Sequence, residues 1–252
     1  PVTIEEPELC RDHTERLLQF YGVSIHRDGH QLQLHGEHTL KNPSNQPLVI
    51  PSDISSALFY IALALGTASS PITFPHIGLN PTRTAVLDVL SDMGAVLSIQ
   101  PENTSFEPLG SVLVSPSTLS NVTIQPSVIP NLIDEIPILS VMALLGAGRF
   151  SVRNAKELRV KESDRIAGIV SLMTAMGVHI QEFDDGFELE GQQPMSDFEY
   201  DACGDHRLAM SAIVAALIGR VSATVYGCQS IATSFPNFFD IMDILHVQFE
   251  RA

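Results

Sequence analysis

Short apolar runs and longer helical runs alternate along this chain in an order that repeats. After residue 50, each repeat predicts strand, helix, strand, helix, strand, with a further closing strand where the chain allows. The first predicted strands of the three repeats lie at 48–50, 122–124 and 198–201. Three repeats of this kind predict an α/β domain with pseudo-threefold packing.

The two predicted helices of each repeat differ in character. The first is apolar on nearly all sides and is expected to be buried, whereas the second has one apolar face and is expected to face solvent. The first helices open near Asp53, at Ile133 and at Leu208, and the one from Ile133 is expected to reach Gly146. Threefold packing would bring their starts together at one face of the domain.

The first 50 residues predict only part of one such unit. They contain a strand at 2–4, a helix at 11–22, a hairpin at 23–35 and a polar loop at 36–47. We therefore interpret residues 1–51 as the last unit of a preceding domain. Residues 52–252 are expected to form one domain of three units.

Positive charge is concentrated in one stretch of an otherwise acidic chain. The net charge is −15, yet six of the 14 lysines and arginines lie between Arg149 and Arg165. This stretch leads into an amphipathic helix, for which Ser163 is the predicted N-cap and Gly177 the C-terminal stop. Free backbone N–H groups and the dipole at a helix start favour an anion. We therefore predict an anionic, phosphorylated ligand.

Other polar residues lie at the starts of the remaining predicted helices. Asp134 and His206 could be ligand-binding, but Asp134 could equally be a helix N-cap and His206 an ordinary surface histidine. Asp53 is interpreted as a structural N-cap, Arg83 is also interpreted as structural, and the segment from Thr233 is expected to open a helix that reaches residue 245.

Composition argues against several other classes of protein. The acidity is unlike that of nucleic-acid-binding proteins, and no apolar run is long enough for a membrane span or a signal peptide. The three cysteines are far apart, and the pair Cys10 and His13 lacks further ligands, so neither disulfides nor a metal site are expected. The cysteine content is typical of a cytoplasmic protein.

Seven short strings, in order along the chain, together resemble the EPSP synthase family. Four carry most of the resemblance, and they lie at 133–137, 157–165, 205–210 and 232–236. The strings at 11–15, 53–57 and 80–84 fit the same family. The resemblance covers nearly the whole chain and is strongest to the bacterial class II branch.

The resemblance implies both a fold and a reaction. The fold is two domains of βαβαββ units, each an inside-out α/β barrel, with the active site in the cleft between them. The reaction transfers the enolpyruvyl group of phosphoenolpyruvate to the 5-hydroxyl of shikimate 3-phosphate and releases phosphate. It passes through a tetrahedral intermediate and uses no metal or other cofactor. The complete enzyme is expected to be a monomer.

The resemblance also assigns roles to individual residues. Asp134 would hold the shikimate hydroxyl and accept its proton, while Glu162 would protonate the methylene of phosphoenolpyruvate and later remove that proton. Among the substrate-binding residues, Arg165 and Arg207 would bind phosphoenolpyruvate, and His206 would adjoin that site. The phosphate of shikimate 3-phosphate would contact two further cations, Lys161 and Arg11.

The chain departs from the family pattern in two places. The family's N-terminal lysine, glycine, arginine and Ser-x-Gln strings do not occur before Arg11, so we interpret the chain as roughly the C-terminal three-fifths of such an enzyme. Thr233 stands where some members have a phosphate-binding lysine. Two alternatives therefore stay open. One is a non-catalytic fragment with half a site, and the other is the related enolpyruvyl transferase that acts on UDP-N-acetylglucosamine.

Overall fold

The structure is a computed structural model that describes residues 1–7, 10–36, 39–41, 48–102 and 106–250. The predicted loop residues Asn42–Asn45 lie outside this part of the chain. The described α-helices are α1 (His13–Phe20), α2 (Ile54–Thr67), α3 (Ala85–Asp92), α4 (Ile136–Met142), α5 (Arg165–Ala175), α6 (His206–Gly219) and α7 (Phe238–Ile244). The described strands are β1 (Val2–Glu5), β2 (Ile25–Asp28), β3 (Gln31–Leu34), β4 (Ile72–Gly78), β5 (Val96–Glu102), β6 (Leu109–Ser115), β7 (Arg149–Val152), β8 (Ile180–Phe183), β9 (Gly186–Glu190), β10 (Phe198–Asp201) and β11 (Ala223–Tyr226).

Three small antiparallel sheets share one strand order. They are β1-β3-β2, β4-β6-β5 and β7-β9-β8, so that in each the third strand of the group lies in the middle. The third repeat differs, because its described strands β10 and β11 pair in parallel and no closing hairpin follows. The recurrence of the same order confirms that the chain is built from repeated β-α-β units.

The first helix of each repeat lies inside the domain. Helices α2, α4 and α6 pack against one another; α4 is entirely buried, and most residues of α2 and α6 are buried. The sheets lie outside them, and the edge strand β5 exposes Val96 and Ile99. Burying apolar helices and exposing sheet faces produces the predicted inside-out arrangement.

An aromatic contact links the first repeat to the last. The hydroxyl of Tyr60 on α2 donates to the carbonyl of Phe238 on α7 at 2.7 Å. Phe59 and Tyr60 also pack against the Phe238 ring, with centroids 6.3 and 5.7 Å away. These contacts join the first repeat to the last.

Two predicted strands are absent. Residues 48–50 form no strand, because Pro51 has no N–H to donate and only Ser52 pairs with β4. Residues 122–124 likewise contribute a single parallel bridge, between Thr123 and Ser151. The first strand of a repeat is therefore fully formed only in β10.

Two predicted helices are shorter than expected. Helix α4 ends at Met142 because the N–H groups of Leu144, Leu145 and Gly146 bond three residues back in a tightened last turn. The segment from Thr233 opens no α-helix, because Pro236 restricts the preceding residue and α7 starts only at Phe238. A short 3₁₀ turn, Cys228–Thr233, stands there instead.

The predicted C-terminal end of α5 is confirmed, whereas the predicted N-cap is wrong. Gly177 has a left-handed backbone (φ +79°) and follows the helix as predicted. The N-cap is Asp164, whose carboxylate accepts from the Ala167 N–H at 3.0 Å. Ser163, the predicted cap, instead donates its hydroxyl to Asp205 at 3.1 Å.

Candidate functional site

The starts of α2, α4 and α6 meet because these three helices pack together inside the domain. Asp53 caps α2 by accepting from the N–H groups of Ser55 and Ser56, which confirms its interpretation as an N-cap. Asp205 caps α6 in the same way, through the N–H groups of Arg207 and Leu208. Helix starts and ionisable side chains therefore share one surface.

Asp134 lies just before α4 and contacts arginines from three separate parts of the chain. Its Oδ2 accepts from Arg11 at 2.5 Å, and its Oδ1 accepts from Arg165 at 3.2 Å. Arg207 Nη1 donates to the Asp134 backbone carbonyl at 2.8 Å, and Nη2 lies 3.9 Å from the carboxylate. The alternative that Asp134 is only a helix N-cap is wrong, because Glu135 occupies that position in α4.

The Asp134 carboxylate is held in its ionised form. Burial acts to raise its pKa, but the charges of Arg207, Arg11 and Arg165 outweigh this and lower the pKa to about 2. An ionised carboxylate at neutral pH therefore lies beside Arg11, whose side chain is 46% exposed.

Arg165 is fully buried, although its side chain carries a charge. Its Nε donates to Asp205 at 2.8 Å and its Nη1 donates to Asp134. Its Nη2 lies 2.7 Å from Glu162 in a salt bridge that lacks hydrogen-bond geometry, so this buried nitrogen has no hydrogen-bond acceptor among the described residues. A buried guanidinium nitrogen that lacks an acceptor is a ready partner for an anionic ligand.

The two neighbours Lys161 and Glu162 face different partners. The Glu162 side chain is 49% exposed and reaches the buried guanidinium of Arg165. The Lys161 ammonium lies 2.6 Å from Glu157. The structure therefore brings Glu162 into the cluster around Asp134, whereas Lys161 pairs with a carboxylate of its own segment.

His206 and Arg207 are the first two residues of α6. The pKa of His206 is lowered by partial burial and by the neighbouring charge of Arg207, so the imidazole is neutral at pH 7. The described structure gives His206 no hydrogen bond in this cluster. His206 therefore lies next to the cluster around Asp134 but is not hydrogen-bonded to it.

Four residues of this surface had no functional role in our sequence analysis. They are Ser55, Arg83, Glu135 and Asp205. Arg83 Nη2 donates to Ser55, which donates to buried Glu135, and burial raises the pKa of Glu135. The signal was present in the sequence, since each of these residues lies at or next to a helix start that we had already identified.

Neither a metal site nor a membrane span is found in the described residues. They contain no group of three or more histidine, cysteine, aspartate or glutamate side chains that could hold a metal ion. In the same part of the chain, no helix has both the length and the apolar content needed to cross a bilayer.

Comparison with known proteins points to one family. A family model of EPSP synthase (3-phosphoshikimate 1-carboxyvinyltransferase) matches residues 1–242. A Synechocystis protein of that name is 42% identical over 94% of this chain and 53% of its own length. One from Akkermansia muciniphila is 43% identical over 94% of this chain and 54% of its own length.

A solved structure agrees with these sequence matches. The EPSP synthase of Acinetobacter baumannii superposes with a TM-score of 0.89 at 34% identity, covering 96% of this chain and 56% of that one. The chain thus spans about half the length of the relatives it matches. Because the family model covers nearly all of the chain and the folds coincide, this chain belongs to the EPSP synthase family.

Proposed function

We propose that this chain carries the C-terminal half of the active site of a 3-phosphoshikimate 1-carboxyvinyltransferase. The enzyme would transfer the carboxyvinyl group of phosphoenolpyruvate to the 5-hydroxyl of shikimate 3-phosphate and release phosphate. The observation that supports this most is the convergence of Asp134, Glu162 and Asp205 on the buried guanidinium of Arg165. Because the chain belongs to the EPSP synthase family, we set aside the alternative of an enolpyruvyl transferase that acts on UDP-N-acetylglucosamine.

Asp134 and Glu162 divide the proton transfers between them. Asp134, ionised and at the centre of the cluster, accepts the proton of the attacking hydroxyl. A carboxylate with a pKa of about 2 is a weak base, but anionic substrates that engage Arg207 and Arg11 offset their charges and raise its basicity. Glu162 delivers a proton to the methylene carbon and removes one again when phosphate leaves.

Four cationic side chains bind the substrates, and one imidazole lies beside them. Arg165 and Arg207 bind phosphoenolpyruvate, since a planar guanidinium can donate two parallel hydrogen bonds to a carboxylate or phosphate. Lys161 and Arg11 contact the phosphate of shikimate 3-phosphate. This requires Lys161 to leave Glu157 and Arg11 to leave Asp134. Neutral His206 borders the phosphoenolpyruvate site.

We also propose that residues 1–51 are the last unit of a preceding domain and that 52–252 form the domain of three units. The sheet β1-β3-β2 has the same order as β4-β6-β5 and so has the form of a unit's second half. The contact between Arg11 and Asp134 joins the two parts across the cleft. The complete enzyme is proposed to be a cytoplasmic monomer that binds these two small substrates and no nucleic acid.

Phosphate release from both substrates tests this function. The 252-residue chain is assayed alone and mixed with the N-terminal half of a class II relative. Turnover is expected only in the mixture, and Glu162→Gln in the mixture is expected to abolish it while substrate binding persists. Glu199→Gln, an exposed glutamate of β10, is the matched control and should keep full activity.

Two results would contradict the proposal. Phosphate release by Glu162→Gln at the rate of the unaltered chain would remove Glu162 from the mechanism. A folded mixture that binds neither substrate and releases no phosphate would favour the alternative of a non-catalytic fragment.

A further inference from the structure

All three nitrogens of the Arg159 guanidinium donate hydrogen bonds within the protein. Nε donates to the Asp184 carbonyl at 2.8 Å, and Nη1 donates to both carboxylate oxygens of Asp164, at 2.8 and 3.1 Å. Nη2 donates to the Glu182 carboxylate at 2.9 Å and to the Phe183 carbonyl at 2.7 Å. No nitrogen of this guanidinium therefore lacks an acceptor inside the protein.

These partners belong to two different elements. Asp164 is the N-cap of α5, while residues 182–184 form the end of β8 and its turn into β9. Arg159 therefore ties the start of α5 to the tip of the β8–β9 hairpin. The chain between Arg159 and Asp164 contains Lys161 and Glu162.

The segment spanned by this tie has no regular secondary structure of its own. Residues 161–164 form neither helix nor strand, and Val160 is 78% exposed. The Glu162 side chain is half-exposed and forms a salt bridge with Arg165. A ligand anion that engages Arg165 would compete for that contact.

The hairpin itself does not depend on Arg159. Strand β9 pairs with both β7 and β8, and Arg153 holds the turn through Asp185 at 2.9 Å and lies over the Phe183 ring at 4.0 Å. Removing the Arg159 side chain should therefore free the loop at 160–164 and leave the hairpin in place.

We propose that Arg159 is a positioning residue for Glu162. It contacts no substrate and acts through Asp164 and the hairpin, which fix the backbone that carries the acid–base group. This inference rests on the proposed function, because that function gives Glu162 its role. A displacement of about 1 Å at a reacting group can cost roughly a hundredfold in rate, so a fixed backbone matters here.

Hydrogen exchange of the 252-residue chain tests the tie without any assay of activity. Arg159→Ala should make peptides that cover 160–164 exchange about tenfold faster, while peptides of α6 keep their rates. Arg149→Ala is the matched control, because it removes an exposed arginine of the same basic stretch that pairs with Glu188 and Glu190. Equal exchange at 160–164 in the two variants would overturn the proposal.

Turnover of the chain mixed with a class II N-terminal half separates positioning from plain stability. Arg159→Lys keeps the charge and loses the planar fork, so kcat should fall by roughly a hundredfold while the Kd for phosphoenolpyruvate changes less than about threefold. Unchanged kcat despite faster exchange would also overturn the proposal. If the unaltered mixture releases no phosphate, the proposed function fails, and exchange alone decides whether Arg159 holds the loop. If Arg159→Ala does not fold, both hydrogen exchange at 160–164 and kcat are measured on Arg159→Lys.

Discussion

Asp134 shows how one residue gains its character from distant parts of the chain. Its three arginine partners are separated from it by 123, 31 and 73 positions. They outweigh the effect of burial and lower the carboxyl pKa to about 2. A local view of the sequence, in which Asp134 is a helix cap, misses all three.

The stability provided by Asp134 should depend on pH. A folded pKa of about 2 against 3.8 for an unperturbed aspartate is about 1.8 units, or roughly 2 kcal/mol of unfolding free energy. Because the folded pKa is the lower one, this stability is complete above about pH 4 and is lost as pH falls toward about 2.

Urea unfolding of Asp134→Asn should show this dependence directly. We expect a loss of about 2 kcal/mol at pH 7 that shrinks as the pH is lowered below about 4. Asp243→Asn, an exposed aspartate of α7, should show no such dependence. A difference between Asp134→Asn and the unaltered chain that stays constant from pH 7 to pH 3 would contradict the ionised cluster.

Arg207 should discriminate between the two proposed substrates. Arg207→Ala is expected to weaken phosphoenolpyruvate binding by roughly 10- to 100-fold, the value of a charged hydrogen bond, and shikimate 3-phosphate far less. Titration calorimetry of the chain mixed with an N-terminal half measures both. Arg220→Asn removes a cation from the other end of α6, at a left-handed residue (φ +54°) that asparagine tolerates, and should change neither. Equal weakening of both ligands by Arg207→Ala would argue against its assignment.

At the scale of elements, the helix caps perform two different tasks. Asp53 and Asp205 both satisfy the free N–H groups of a buried helix. Asp53 is half-exposed and also binds Arg83 at 3.0 Å, whereas Asp205 is fully buried and neutralises Arg165. Two caps of similar geometry are therefore expected to contribute different amounts to the free energy of unfolding.

The two caps should therefore differ in the cost of their removal. Asp53→Ala is expected to lower the free energy of unfolding by about 1 kcal/mol, the usual value of an N-cap. Asp205→Ala should cost about 3–5 kcal/mol, because it leaves a buried guanidinium without its partner. Urea denaturation compares them, and equal losses would show that Arg165 does not depend on Asp205.

At the scale of the whole molecule, a buried amide joins the first part of the chain to the rest. Asn80 is 2% exposed, and its Nδ2 donates to Asp12 at 2.7 Å and to Glu107 at 3.1 Å. His13 Nδ1 lies 2.8 Å from the same glutamate. Helix α1, which has no fully buried residue of its own, is held in place by this polar group.

Asn80→Ala should loosen α1 selectively. Hydrogen exchange of peptides that cover 13–20 is expected to accelerate by about tenfold, with α2 and α6 unchanged. Thr82→Ala is the control, since the Thr82 hydroxyl donates to the side-chain oxygen Oδ1 of Asn80 and not to Asp12. No change in α1 exchange would show that apolar packing alone holds the leading part.

Much of the fold followed from the sequence, because local patterns determine it. Periodicity identified the three repeats, the buried first helices and the N-cap at Asp53. Periodicity failed at residues 48–50, which precede Pro51 and form no strand. Strand formation also needs a sheet partner from elsewhere in the chain, and Ile50 is instead 69% exposed.

The sequence alone determined the repeated units, their family and the residues at the helix starts, since these depend on nearby residue types and spacing. Only the tertiary structure decided which of them meet. Packing of α2, α4 and α6 buried Arg165 against Asp134 and Asp205. Contacts between residues far apart along the chain have no local pattern, and therefore the partners of Asp134 could be found only after folding had brought them together.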